Sequence, residues 1–121
     1  MNIEQFRDFC LHKKGVTEHF PFDEVTLVFK VMGKIFALTA LDGWEKGKMT
    51  INLKCDPVWA EALRIEHEEI RPGWHMNKRH WNTIHLNRTL SEVFAFQLIS
   101  HSYEQVVSGL TKKKQEELKA L

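Results

Sequence analysis

A stretch of alternation limits what this chain can fold into more than anything else in it. Val25, Leu27, Phe29 and Val31 fall on one side and Thr26, Val28 and Lys30 on the other, and a period of two belongs to a strand. Met32-Gly33-Lys34 reads as a tight turn and Ile35 to Leu41 as a returning strand, which together make a β-hairpin. Met49, Ile51 and Leu53 alternate with Thr50, Asn52 and Lys54 in a third strand. The connection before it, Asp42 to Lys48, reads as a polar loop carrying an exposed Trp44.

Helical signals surround these strands. Asn2 and Gln5 are spaced as a capping box for a helix over residues 2–14, with Ile3, Phe6, Phe9 and Cys10 on its apolar side and Gly15 as its stop. VTEHFPF follows as a linker. Asp56 and Pro57 open a second helix that turns Trp59 (or Val58), Ala62, Leu63 and Ile65 inward. Ile70 to His75 and His80 to Leu86 read as two further strands around a turn at Met76 to Arg79. Thr89 with Glu92 makes a second capping box, ahead of a long helix through Leu90, Phe94, Leu98, His101 and Gln105 that Gly109 closes. Thr111 caps a last, solvated helix. The order α-β-β-β-α-β-β-α-α predicts an α+β fold of two layers, an antiparallel sheet of about five strands with helices on its apolar face.

At 121 residues, 43% hydrophobic and 27% charged, the chain has the makeup of one globular domain, 1–121. Its net charge of +1 decides nothing about a polyanionic partner, so the distribution of charge must. The N-terminus lacks the apolar segment of a signal peptide, and no run approaches the roughly 18 apolar residues that span a bilayer. Cys10 and Cys55 match no metal or redox spacing and read as buried free thiols. These features predict a cytoplasmic protein with no membrane partner, and a monomer.

Function should be sought between Arg71 and Leu86, RPGWHMNKRHWNTIHL, which holds three of the seven histidines, two of the four tryptophans and no acid. Together with FPFDEVTLVFKVMGKIFAL, NLKCDP and LISHSYEQVVSGLTKKKQEEL, it resembles the MmcQ/YjbR family in order and spacing, from about Leu11 to Leu118. The resemblance implies a CyaY-like (frataxin-like) fold with a curved antiparallel sheet backed by helices. It also implies a small stand-alone bacterial cytoplasmic protein with a suggested DNA-binding role. Trp74 stands where the family usually has tyrosine, and the acidic Asp23-Glu24 pair before the first strand is a second departure.

Of the chemistries these residues could support, nucleic-acid binding fits the pattern best. From Arg71 to Ser91 there are four fixed cations, Arg71, Lys78, Arg79 and Arg88, and no carboxylate. Lys78 and Arg79 at a hairpin tip suit phosphates, Trp74 and Trp81 suit stacking on unpaired bases, and Asn77 or Asn82 suits a base edge. His75 and His80 add charge below neutral pH. With so few cations, DNA binding should be weak and strongly salt-dependent. The alternative is a small-ligand or peptide pocket in which Trp74, Trp81, His101 and Tyr103 line a groove between the hairpin and the 90–108 helix. A metal site is disfavoured, because the five-residue spacing of His75, His80 and His85 alternates faces in a strand. Catalysis by His80 or His101 with Cys55, Ser100 or Tyr103 has no motif behind it, so no enzyme activity, cofactor or metal is expected.

Overall fold

The computed structural model describes residues 1–87 and 89–121; the predicted contact at Arg88 lies outside them. The alternating hairpin forms as read, with β2 at Thr26–Val31 and β3 at Lys34–Ala40. Met32 and Gly33 turn between them with φ of 50° and 82°, the two positive values of a type I′ turn, whose twist suits paired strands. The register then slips: Phe29 faces Ala37 but Lys30 faces Ile35, so Phe36 is one residue too many, a β-bulge.

VTEH is not a linker. It forms an edge strand, β1 (Val16–His19), against β2. Its alternation is short and half polar because an edge strand buries little. Val16 faces the core side, while Glu18, on that same side, is held by Arg7 of helix α1 (Ile3–Leu11) through two bonds of 2.7 and 2.8 Å. The sheet has six strands, in the order β1-β2-β3-β4-β6-β5, with β4 at Thr50–Lys54, β5 at Ile70–Pro72 and β6 at Trp81–His85. Every neighbouring pair is antiparallel. The other edge, β5, is short and ends on a proline that cannot donate to a ladder.

The capping box of α1 forms in both directions, at 2.8 Å each way. Helix α3 (Pro57–Glu66) starts on Asp56, whose carboxylate accepts from Trp59 N. Helix α4 runs Glu92–Ser108, and its cap is Ser91, not Thr89. Thr89 instead donates to Glu69 at 2.6 Å. Thr111 caps α5 (Lys112–Lys119) as expected, and Leu118 turns inward to pack beneath Gly15. One inward and one outward assignment need correction. The α3 face that packs is Ala60 and Leu63, and Ile65 points away, 87% exposed. Trp44 lies in a short helix, α2 (Leu41–Glu45), with its ring stacked on Phe6 and its indole N–H donating to Thr39 Oγ1 at 2.8 Å.

Helices α1, α3 and α4 cover one face of the sheet, where Phe6, Phe29, Phe36, Ile51, Leu53, Ile84 and Ile99 are fully or almost fully buried. Both cysteines are free and buried there; burial raises both thiols, Cys55 to about 11. Ser102 of α4 joins two strands. Ala37 pairs with Leu53 and Leu38 with Asn52, so the next rung would join Phe36 to Lys54. The bulge opens that rung, and the Ser102 hydroxyl fills it, accepting from Lys54 N at 2.8 Å and donating to Phe36 O at 2.5 Å. Among the described residues no helix is long and apolar enough to cross a membrane.

Candidate nucleic-acid interface

Among the described residues, no helix covers the second face of the sheet. By register it carries Thr17 and His19 from β1, Thr26, Val28 and Lys30 from β2, Ile35, Leu38 and Ala40 from β3, and Thr50, Asn52 and Lys54 from β4. Trp81, Thr83 and His85 from β6 and Arg71 from β5 complete it. No strand position on this face is a carboxylate. Asp23 and Glu69 flank it at the strand ends, and both are engaged. Asp23 accepts from Thr26 N at 2.6 Å and Val25 N at 2.9 Å, which hold its pKa down, and Thr89 does the same for Glu69.

Two depressions mark the ends of this face. One, of about 550 Å³, gathers Lys30, Lys34 and Lys54 around Trp81 and reaches past the end of the sheet to Val106 and Gly109 at the end of α4. The other, of about 610 Å³, is floored by Leu38 and Ala40, sided by Thr50, Asn52 and Thr83, and rimmed by Arg71, Trp74, His75 and His85.

The loop from Gly73 to His80 is firmly tied. Gly73 N donates to Trp81 O at 2.8 Å, and a Cβ at Gly73 would lie 2.8 Å from that of Trp81, so only glycine permits the approach. Trp74 N donates to Thr83 Oγ1 at 3.0 Å and Lys78 Nζ to Gly73 O at 2.9 Å, while Asn77 Oδ1 accepts from Arg79 N at 2.9 Å. Arg64 of α3 clamps the loop from behind: Nε donates to Asn82 Oδ1 at 2.6 Å, and Nη2 to Lys78 O and, at 3.3 Å, to Trp81 O. Nothing in the local sequence around Arg64 marks it as part of the site; only the packing of α3 behind β6 does.

The residues singled out in the sequence therefore divide. Arg71, Trp74, His75 and Trp81 lie on the open face or over it, and Asn77, Lys78 and Arg79 sit exposed in the adjoining loop. His80 is half-buried, its carbonyl accepting from Cys55 N at 2.8 Å. Asn82 is turned the other way, into the core, and reads no base edge. His101 and Tyr103 also lie on the helical side. His101 Nε2 accepts from Asp56 N at 3.1 Å beneath the edge of Trp59, and Tyr103 donates to Lys14 O at 2.6 Å with its ring against Phe36. A pocket combining Trp74 and Trp81 with His101 and Tyr103 is thus not formed, because the sheet stands between the two pairs. Ser100 accepts from Lys13 Nζ at 2.8 Å, while the ring of the adjacent His101 is engaged with Asp56 N. Among the described residues no three His, Cys, Asp or Glu side chains gather around a common point suited to a metal ion.

Burial holds the His101 imidazole below its usual pKa, outweighing Glu104 and Asp56. The folded state then takes up this proton less readily than the unfolded chain. Stability is complete above the unfolded value of about 6.5 and falls as pH drops from there toward the lowered folded value. Urea unfolding across this range should show that loss, and His101→Gln, whose side-chain oxygen can accept the same bond, should flatten it. An unchanged pH profile in that variant would remove His101 as its source.

A family model described as YjbR matches residues 11–105. The Escherichia coli proteins YjbR and YbdF, both described as uncharacterised, are similar to the chain. The first is 31% identical over 94% of this chain and 94% of its own, the second 37% identical over 82% and 79%. The crystal structure of a Deinococcus radiodurans protein superposes with a TM-score of 0.87 at 36% identity, covering 97% of this chain and 87% of its own. A Pseudomonas syringae protein gives 0.70 at 30% identity, over 84% and 96%. With a matching family model across most of its length and relatives similar nearly end to end, the chain belongs to the YjbR family.

Proposed function

We propose that this protein is a non-catalytic nucleic-acid-binding module and that the helix-free face of its sheet is the binding surface. The observation that carries this reading is the charge and ring content of that face: Lys30, Lys54 and Arg71 beside Trp81, with no carboxylate on any strand position. In a chain of net charge +1 with 16 acidic residues, such a face is a segregated positive surface. Cations in this arrangement hold phosphates, and an indole among them stacks on an unpaired base. Strand β4 from Thr50 to Lys54 is roughly 13 Å long at 3.3 Å per residue, room for a few nucleotides of an extended single strand. So short a footprint gives weak, salt-sensitive binding, and a regulatory role in a bacterial cytoplasm suits it.

Fluorescence anisotropy with a labelled single-stranded oligonucleotide at several salt concentrations tests this. Lys54→Ala with Arg71→Ala should weaken binding about tenfold and make the log K against log salt slope shallower by roughly 1 to 2. An unchanged slope and affinity would eliminate the open face as the phosphate-binding surface.

A further inference from the structure

We infer that the groove beneath Trp74 is a nucleobase subsite that takes one unstacked keto base, thymine being the smallest in DNA, from a single strand lying on the open face. This rests on the nucleic-acid reading above and adds to it a specific pocket, a strand preference and a base preference.

Three observations meet at the groove. The first is an exposed ring held still. Trp74 is 71% exposed, yet its backbone N–H is bonded to Thr83 Oγ1, its neighbour Gly73 is locked to β6, and its indole meets the His75 ring at 4.6 Å, edge to face. A large apolar side chain fixed in solvent gains little for the fold, but its ordering cost is already met when a flat ligand arrives. The second is backbone strain. His75 has a φ of 56° at the third position of the Gly73–Met76 turn, which Met76 N closes by donating to Gly73 O at 3.4 Å; glycine or asparagine usually fills such a left-handed position, and a histidine ring is held there instead. Both rings stand at the mouth of the same 610 Å³ groove, a volume within the range of small-ligand sites.

The third is hydrogen-bond polarity. Asn52 lies on the groove wall, and its carbonyl oxygen accepts from Thr83 Oγ1 at 2.5 Å. Thr83 Oγ1 is itself occupied by Trp74 N. What Asn52 retains for a ligand is its amide N–H pair, so at Asn52 the wall offers donors, beside a Thr50 hydroxyl that serves either way. Arg71 at the rim can only donate as well. A donor wall under a stacking ring selects a base whose edge presents carbonyl acceptors, with Leu38 and Ala40 as its apolar floor. Arg71 is placed for the adjoining phosphate. A base inside a duplex cannot enter, so the groove makes the face prefer single strands.

The test compares a short oligothymidylate, an oligodeoxyadenylate of equal length and a duplex, by anisotropy, on wild type, Trp74→Ala, Asn52→Ala and the Lys54/Arg71 double variant. Trp74 is exposed, so its replacement should leave the unfolding midpoint in place, which a parallel melt verifies. Trp74→Ala should weaken oligothymidylate binding about tenfold, leave duplex binding and the salt slope unchanged, and so erase the single-strand preference. Asn52→Ala should erase the preference for thymidylate over adenylate. If Trp74→Ala binds oligothymidylate like wild type, or loses single strand and duplex equally, the subsite is refuted, while a weakened Lys54/Arg71 variant keeps the broader reading alive. A thymidylate preference that survives Asn52→Ala overturns the base readout. If wild type binds none of the three nucleic acids, both readings fall together.

Discussion

Arg64→Ala is expected to lower the unfolding free energy by about 2–3 kcal/mol and to loosen the Gly73–His80 loop. The estimate follows from what the guanidinium leaves behind. Asn82 is 1% exposed and its carbonyl oxygen takes the Arg64 Nε bond, its amide reaching only Ala60 O at 3.5 Å. An orphaned buried acceptor plus a lost charge-assisted bond costs about that much. The Lys78 and Trp81 carbonyls also lose their donor, but water can replace it at the exposed end of the loop. A thermal midpoint lower by on the order of 10 °C should accompany the change. Arg64→Lys should recover only part of it, since an ammonium cannot fork between Asn82 and the loop carbonyls. The diagnostic comparison is Arg64→Ala with Asn82→Leu, which removes both partners and should be milder than the sum of the two single changes. Strict additivity would show that the pair is not coupled, and the clamp would then be an accident of proximity.

Ser102→Ala is expected to cost on the order of 3 kcal/mol, a large loss for removing one oxygen. The hydroxyl is fully buried and serves Lys54 N and Phe36 O at once. Alanine orphans both groups at a place water cannot reach, at about 1–3 kcal/mol each. The strands could recover only by closing the rung directly, which requires undoing the bulge at Phe36 and withdrawing a fully buried ring. Denaturant unfolding measures the loss, and hydrogen exchange at the Lys54 amide locates it. A loss below about 0.5 kcal/mol with Lys54 still protected would mean that the rung re-forms and that the hydroxyl is dispensable.

How much of this was legible beforehand depended on whether a residue's partner lay nearby in the chain. The β2–β3 hairpin, the Asn2–Gln5 capping box and the starts of α3 and α5 are local devices, and the sequence shows them. β1 was unreadable because Glu18 sits on an inward position, tolerable only once Arg7 arrives from α1. Trp44 looked solvent-facing because its partners, Phe6 and Thr39, come from two other elements. The candidate site was half legible. The density of rings and cations marked the segment from Arg71 onward, but the face each side chain takes depends on where β6 lies in the sheet. Between β4 and β5, with α3 behind it, β6 sends Trp81 and Thr83 to the open side and Asn82 to the core. The same placement removes His101 and Tyr103 from the site and brings Asn52 into it from β4, where it pairs with Thr83.

The two ends of the sheet have a consequence for how the protein behaves when concentrated. A bare strand edge is a template on which another chain can dock and from which aggregates grow. At β1 the inward Glu18 with its Arg7 partner is a charge that an added strand would have to bury against its own core side. At β5 the edge is three residues long and finishes on Pro72, which offers no N–H. With both ends guarded in this way, a wide uncovered sheet face can stay open to a ligand without its edges recruiting further copies into fibrils.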